Sequence, residues 1–179
     1  MPREKMEDDQ ISLRPFVLSD VDDYMVWALD EKVAHFCRWE PYSSKEDLLS
    51  YMKESVLPHP WFRAICLGDR PIGAIYASPG SGNDSCRAEL GFALASEYWG
   101  RGIVTQATKM AVDAVFADWP HLERLEALVV VENPASQRVL EKAGFLKEGV
   151  LRKYYILKGR ARDLVMYSFL PTDRKTDAN

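Results

Sequence analysis

Two glycines flank an arginine in the stretch "YWGRGIVTQATKMAV", which begins at Tyr98. A helix start has backbone N–H groups without partners and a partial positive charge, so an anion binds there when the backbone is bare enough to approach. Glycine provides that access, and consecutive amides can form a concave phosphate site. The pattern is weak by itself, because an ordinary turn before a helix also uses glycine. It predicts a phosphate or pyrophosphate site formed by Gly100, Arg101, Gly102, Ile103, Val104 and Thr105.

Two well-known phosphate loops fit this stretch poorly. The dinucleotide-binding fingerprint needs a third glycine where Thr105 stands, and an acid about 20 residues later. The acid at the end of a following strand, Glu132, comes too late. The Walker loop fails because no Gly-Lys-Ser or Gly-Lys-Thr follows. A nicotinamide-binding enzyme is therefore the weaker alternative.

A candidate carboxylate precedes this loop, and a capped helix follows it. "CRAELGFAL" alternates apolar and other residues, which predicts a strand with Glu89 on its polar face. "RLEALVVVE" is an almost continuous apolar run, typical of a central strand. In "NPASQRVLEKAGF", Asn133 is placed to cap a helix, Pro134 to occupy its first position and Gly144 to follow its end. Asn133 and Ser136 therefore share the first turn of that helix.

The elements that position these residues begin with a strand and two helices. "ISLRPF" predicts a strand that ends at Pro15, and a helix follows from Ser19 to about residue 29. Its Tyr24 and Trp27 lie three apart on one face, either as core residues or as a wall of a substrate cleft. "SSKEDLLSYMKESVL" predicts a second helix that ends before Pro58.

The second helix starts with a capping box that pairs Ser43 with Glu46, and two hairpins that follow it complete the predicted sheet. "WFRAICLGDRPIGAIYAS" then predicts a hairpin that turns at residues 68–71. The segment up to residue 170 predicts two long strands that turn near Lys158 and Gly159. Together with the long amphipathic helix after the glycine pair, these elements predict one mixed α/β sheet with helices on both faces.

Composition excludes several classes of protein. The chain of 179 residues has a formal net charge of −4, which argues against general nucleic-acid binding. Its three cysteines show no metal-like or redox spacing, which favours a reducing compartment. The opening "MPREKMEDDQ" lacks the apolar core of a signal peptide, and no run approaches the roughly 18 apolar residues of a membrane span. We expect a cytoplasmic protein that binds no membrane, with flexible ends at residues 1–10 and 171–179.

The sequence resembles the GNAT N-acetyltransferases. "EYWGRGI" is similar to their loop for the pyrophosphate of acyl-CoA, which is usually Gln or Arg, two residues, Gly, any residue, and Gly or Ala. Glu97 departs from that pattern at the first position. "LRPF", "SD", "AELGFAL", "NPASQRVLEKAGF" and "GRARD" occur in the order found in the RimJ/RimL-like branch, which contains ribosomal-protein N-terminal acetyltransferases. The resemblance covers residues 11–170, which we expect to form one acetyltransferase domain.

The resemblance implies a fold and a reaction. The twisted, mostly antiparallel sheet would have about seven strands and would be splayed between the fourth and fifth strands by a bulge near Glu97. Acetyl-CoA would donate its acetyl group directly to an amine, without a metal, and its pantetheine arm would pair with the backbone of Phe92, Ala93 and Leu94. A non-catalytic acyl-CoA-binding module is the alternative.

The resemblance also assigns roles. Glu89 would accept the proton of the attacking amine, directly or through water, although a structural glutamate is the other interpretation. Asn133 and Ser136 would hold the thioester, and Ser136 would donate a hydrogen bond to the departing thiolate. The tyrosine acid of many relatives is replaced by Leu140.

The acceptor is the least specified part of the prediction. Tyr24, Trp27 and Tyr154 are the candidate acceptor-binding residues. The acceptor amine belongs either to a protein N-terminus or to a small molecule, and a monomer and a homodimer are both consistent with the sequence. A peptide α-amine is already about 10 to 15% neutral at pH 7, whereas a lysine amine is under about 0.1% neutral. An α-amine therefore needs less help from a base.

Overall fold

The computed structural model describes residues 10–174 of the chain. Seven strands form one sheet in the order β1-β2-β3-β4-β5-β7-β6. The strands are β1 Ile11–Pro15, β2 Phe62–Leu67, β3 Arg70–Pro79, β4 Arg87–Leu94, β5 Arg124–Val130, β6 Leu146–Leu157 and β7 Arg160–Phe169. The helices are α1 Val21–Ala28, α2 Glu31–Ala34, α3 Lys45–Tyr51, α4 Ile103–Asp118 and α5 Pro134–Lys142.

The sheet is mixed and mostly antiparallel. β1 and β2, β2 and β3, β5 and β7, and β6 and β7 pair antiparallel, whereas β4 and β5 pair parallel. A parallel pair needs a long crossover, and α4 occupies that crossover in the chain. Pairing between β4 and β5 stops after three residues, at Glu89 opposite Glu126, although β4 continues to Leu94. The predicted α/β fold, with a break in pairing between the fourth and fifth strands, is confirmed.

The residues pack as two compact units. The first takes the chain up to Tyr76 together with Phe92–Ala107, and the second takes Ala77–Gly91 together with the chain from Thr108 onward. The prediction of one domain over residues 11–170 stays a prediction.

An aromatic cluster forms the core of the first unit. The rings of Phe16 and Tyr24 lie 5.1 Å apart, and those of Tyr24 and Trp27 stack at 4.6 Å. Leu48 and Met52 from the next helical segment are fully buried in the same cluster. The apolar face of α1 and Phe16, the residue after β1, therefore pack into one core.

The core of the second unit gathers around Phe169 at the end of β7. Its ring lies 6.3 Å from that of Phe116 on α4 and 5.4 Å from that of Phe145. Leu140 on α5 and Tyr167 on β7 are fully buried. These contacts pack helices α4 and α5 by their apolar faces, as the sequence periodicity predicts.

Local capping differs from prediction at α3. Ser44, not Ser43, caps this helix, because its hydroxyl accepts the N–H of Asp47 at 3.1 Å. Ser43 instead donates to the carboxylate of Asp47 at 3.2 Å. The predicted capping box is therefore wrong by one residue. The helix continues as a π-helical turn over Met52–Val56 and ends before Pro58, as predicted.

The chain ends are partly described. Residues 1–9 and 175–179 of the predicted flexible ends lie outside the described residues. Pro171–Asp173 form a 3-10 turn in which Asp173 accepts the N–H of Leu170 at 2.9 Å. Arg174 lies over the ring of Phe116 at 5.6 Å. Within residues 10–174, no helix combines the length and the apolar character that crossing a membrane requires.

Candidate functional site

The predicted phosphate loop lies between β4 and α4. A 3-10 turn over Ser96–Tyr98 follows β4, and α4 begins directly after Gly102. Gly100 has a φ of 73° and Gly102 a φ of 75°, a region that residues with side chains rarely adopt. A Cβ at either position would meet nothing within 4 Å, so the space beside the backbone is open at both glycines.

The start of α4 has the character of an anion site. Its first N–H groups, from Ile103 to Thr105, have no partner within the helix, and no acidic side chain occupies its first turn. Gly100, Arg101 and Gly102 are exposed, and Thr105 is half-buried. Partial positive charge and exposed backbone thus meet at one point. The residues fit a diphosphate group.

Three contacts that the sequence did not reveal hold this loop. The indole Nε1 of Trp99 donates to the carbonyl of Leu94 at 2.9 Å, which ties the loop to the end of β4. The guanidinium of Arg101 lies 5.4 Å from the ring centre of Tyr98. Ser96 donates to the carboxylate of Asp30. Ser96 and Asp30 lie 66 residues apart in sequence, so no local pattern predicts that contact.

Glu97 departs from its predicted place. We expected a strand bulge near it, but β4 ends at Leu94 and Glu97 is exposed in the following 3-10 turn. The break between β4 and β5 arises instead where their pairing stops, after Glu89. Phe92 and Ala93, half-buried, and Leu94, buried, form the last residues of β4 beyond that point.

A charged network surrounds the paired ends of β4 and β5 in the second unit. Glu126 is 6% exposed and accepts from Arg87 and from Arg124, each at 2.8 Å. Arg124 also pairs with Glu148 through both of its terminal nitrogens, and these bonds lower the pKa of Glu148 to about 2. Glu89, half-buried, lies directly opposite Glu126 in register. The residue predicted to act as base is thus the register partner of a glutamate whose carboxylate accepts hydrogen bonds from two arginines.

Asn133 and Ser136 form a reciprocal pair at the start of α5. The side-chain oxygen of Asn133 accepts the N–H of Ser136 at 3.2 Å, and its Nδ2 donates to the hydroxyl oxygen of Ser136 at 3.0 Å. The predicted N-cap is confirmed. Because the Ser136 oxygen already accepts from Asn133, its own proton is available to a further acceptor. Leu140, at the position of the absent tyrosine, is fully buried.

The three predicted acceptor-binding residues have different environments. Trp27 is 1% exposed and Tyr24 6% exposed, and both belong to the core of the first unit. The structure therefore favours core packing, one of the two interpretations of this pair, over a cleft wall. Tyr154 is 54% exposed on β6.

Tyrosines 42 and 51 extend the cluster from the core toward the surface of the first unit. Their ring centres lie 5.6 Å apart, and both are half-buried. Burial raises the pKa of Tyr42 to about 12 and also raises the pKa of Tyr51. Both phenols therefore stay protonated donors at neutral pH. The sequence analysis missed them because neither lies in a recognisable motif.

The site residues divide between the two units. Phe92–Leu94 and Gly100–Thr105 belong to the first, whereas Glu89, Asn133, Ser136 and Tyr154 belong to the second. Among residues 10–174, no group of three or more His, Cys, Asp or Glu side chains is arranged to hold a metal ion.

Known proteins are similar to this chain in sequence or in fold. Residues 10–146 match the sequence model of the acetyltransferase (GNAT) domain. The N-acetyltransferase p20 of Bacillus licheniformis is 29% identical over 173 residues, which cover 93% of this chain and 96% of p20. The spermidine N-acetyltransferase from Vibrio cholerae, solved with CoA and spermine, has a TM-score of 0.76 at 22% identity, covering 92% of this chain and 97% of that one. The acetyltransferase of Salmonella typhimurium that modifies the N-terminal serine of ribosomal protein L7/L12 has a TM-score of 0.76 at 22% identity, covering 92% and 96%.

Proposed function

We propose, since the chain belongs to the GNAT acetyltransferase family and is an acetyltransferase enzyme, that it transfers an acetyl group from acetyl-CoA directly to a primary amine. The acceptor class is a protein N-terminal α-amine or a small-molecule amine, as in the RimJ/RimL-like branch and its relatives. The observation that carries the proposal is the pair of positive-φ glycines directly before α4, whose first turn contains no acidic side chain. The free thiols of Cys37, Cys66 and Cys86 are consistent with a cytoplasmic enzyme.

The glycine loop and the end of β4 would bind the donor. The amides from Arg101 to Thr105 suit a diphosphate, because Gly100 and Gly102 leave the approach open. Phe92, Ala93 and Leu94 would offer backbone groups to an extended chain, because β4 is no longer paired with β5 there. The Leu94 carbonyl already accepts from Trp99, so Leu94 would offer mainly its N–H. When bound, acetyl-CoA supplies a thioester that an amine can attack.

Glu89 and Ser136 would take part in proton transfer and thiolate stabilisation. Glu89 would accept the proton that the amine nitrogen loses as its bond to the acetyl carbon forms. The hydroxyl of Ser136 would donate a hydrogen bond to the sulfur as the carbon–sulfur bond breaks, and Asn133 would orient that hydroxyl through its 3.0 Å hydrogen bond. No protein-bound acetyl group is needed.

The proposal is tested by following thiol release from acetyl-CoA across a panel of peptides with free N-termini, polyamines and amino acids. The acceptor must gain the mass of one acetyl group, located by fragmentation on its amine. Binding of acetyl-CoA without thiol release, for every acceptor in the panel, would show a binding module instead of this enzyme.

A further inference from the structure

The hairpin of β6 and β7 is basic in an acidic protein. Between residues 146 and 169 it has two acidic residues, Glu148 and Asp163, while the chain as a whole has a formal net charge of −4. Glu148 pairs with Arg124, outside the hairpin, and Asp163 accepts a backbone N–H, so within residues 10–174 neither forms an ion pair with a basic residue of the hairpin. The six basic residues of the hairpin are Lys147, Arg152, Lys153, Lys158, Arg160 and Arg162.

A bulge in β6 presents two of these cations. Leu151 pairs with Leu164 and Tyr155 with Arg162, so Arg152, Lys153 and Tyr154 all lie opposite the single residue Asp163. Lys153 has a φ of 49°, a conformation that lysine rarely adopts, and its N–H donates to Oδ1 of Asp163 at 2.8 Å. All three bulge residues are exposed. Bulges of this kind redirect side chains and often lie beside active sites.

The bulge is connected through Asp163 to the residues proposed for catalysis. The backbone carbonyl of Asp163 accepts the N–H of Val131 at 3.1 Å. The neighbouring Arg162 donates to the carboxylate of Glu132 at 3.1 Å. Val131 and Glu132 directly precede Asn133, the cap of α5. Asp163 thus holds the bulge on one side and the segment leading to Asn133 on the other.

The two exposed cations of the bulge differ from Arg162 in their ion pairing. Among residues 10–174, neither Arg152 nor Lys153 takes part in an ion pair, whereas Arg162 pairs with Glu132. Charges on an edge strand also discourage edge-to-edge pairing, but that role needs only a lysine side chain. It does not require a strained backbone held by the side chain of Asp163, a residue whose carbonyl also accepts the N–H of Val131 just after β5.

We propose that Arg152 and Lys153 form an anion subsite that selects acceptors with a carboxylate close to the amine, and disfavours polycations such as spermidine. This inference rests on the proposed acetyltransferase function and specifies its acceptor class. The shared chemistry is a primary amine beside a carboxylate, which an acidic peptide N-terminus or a free acidic amino acid can supply. Tyr154, in the same bulge, would contact the part of the acceptor between the two groups.

The test compares three peptides of equal length that begin with the same residue and continue with aspartate, asparagine or lysine, together with glutamate and spermidine. Thiol release gives kcat/KM for each. For the full-length protein we expect kcat/KM to be about tenfold higher for the aspartate peptide than for the asparagine peptide, because two exposed ion pairs form. This difference should shrink with added salt. Efficient use of glutamate as well would identify the carboxylate itself as the recognised group. Use of the peptide alone would identify an acidic N-terminus.

Arg152→Glu/Lys153→Glu should lower or invert the ratio of aspartate to asparagine peptide. Arg152→Gln, which leaves the strained position unchanged, should lower the ratio part of the way, so the test does not depend on one variant folding. Lys147→Glu is the matched control, because this exposed lysine pairs with Tyr167, four residues from Asp163 and thus about 14 Å from the bulge, and has no part in the site. Its ratio should equal that of the unmodified protein.

Equal kcat/KM for the aspartate and asparagine peptides, a preference for spermidine, or a ratio unchanged by Arg152→Glu/Lys153→Glu would overturn the subsite and leave the acetyltransferase proposal standing. No thiol release with any of the acceptors would overturn both.

Discussion

Ser96 donates a 2.5 Å hydrogen bond to Oδ2 of Asp30, while Oδ1 of the same carboxylate accepts the N–H of Lys32 at 2.9 Å. One side chain therefore caps α2 and fixes the turn that leads into the glycine loop. The hydrogen bond from Ser96 is the main cause of the lowered pKa of Asp30. The loop that suits a diphosphate is thus tied to a helix far away in sequence but in the same unit.

Removing either end of this bond should destabilise the protein. We expect Ser96→Ala to lower the free energy of unfolding by about 1 to 2 kcal/mol. Asp30→Ala should cost about 1 kcal/mol more, since α2 also loses its cap. Urea unfolding of both single variants and of the double variant gives the interaction free energy between the two side chains. The double variant should be no less stable than Asp30→Ala, and strictly additive losses would show that the bond contributes nothing.

Gly102→Val should weaken acetyl-CoA binding. A β-branched side chain at a φ of 75° is strained and projects into the space proposed for the diphosphate. We expect the Kd for acetyl-CoA, measured by calorimetry, to rise about tenfold or more, which corresponds to a loss of about 1.4 kcal/mol. Gly82→Val is the matched control, with a φ of 59° and equally open surroundings in a surface turn. It should lose stability but keep its affinity, and equal losses of affinity would remove the loop from the site.

Local sequence patterns predicted the helices, strands and turns, but they did not predict polar contacts between residues far apart in sequence. The apolar row of α4, the Asn133 cap and the Lys158–Gly159 turn are each specified by neighbours in sequence, and each is present. The pairing of Ser96 with Asp30 joins residues 66 apart, so no window of sequence contains it. Periodicity placed Tyr24 and Trp27 on one face of α1. It could not tell whether that face meets the core or a cleft, because both environments favour aromatic residues.

Glu89→Gln should lower kcat and leave the affinity for acetyl-CoA unchanged. Glutamine keeps the shape and polarity of the side chain but cannot accept the amine proton, and a general base contributes about 10²- to 10⁴-fold. An α-amine acceptor should show the smaller loss, since more of it is already neutral. Rates across pH with an α-amine and a lysine-type amine check this. Glu123→Gln, at an exposed glutamate directly before β5, is the control with unchanged kcat. Equal activity of the Glu89 variant across pH would remove Glu89 from the mechanism.

Asp20 should make stability depend on pH in the acid range. Its carboxylate is 6% exposed, and burial alone would raise its pKa. Hydrogen bonds from both terminal nitrogens of Arg14, at 2.8 and 2.9 Å, and from the N–H of Val17, at 2.9 Å, outweigh burial and lower the pKa. A lowered pKa in the folded state stabilises the protein above the unfolded value of about 3.9, and this stability is lost as pH falls through the folded value.

Asp20→Asn should therefore lower the free energy of unfolding by about 1 to 3 kcal/mol at pH 7. As the pH falls below about 4, the stability of this variant should decrease less than that of the unmodified protein. Thermal and urea unfolding between pH 7 and pH 2 measure both effects. Asp22→Asn is the control, because that side chain is 75% exposed and its pairing with Lys45 is worth under about 1 kcal/mol. Parallel pH curves for Asp20→Asn and the unmodified protein would contradict the assignment.

Ser136→Ala should lower kcat with little change in stability. The cap of α5 uses the N–H of Ser136, which alanine retains, so we expect the free energy of unfolding to change by about 0.5 kcal/mol or less. The variant loses the hydroxyl proton that would stabilise the departing thiolate, and kcat should fall about tenfold or more. Ser136→Thr, which keeps a hydroxyl, should recover part of the rate. Asn133→Ala should instead lose about 1 kcal/mol of stability with its cap. If Ser136→Ala keeps full kcat at saturating acetyl-CoA and acceptor, the thiolate is stabilised by another group.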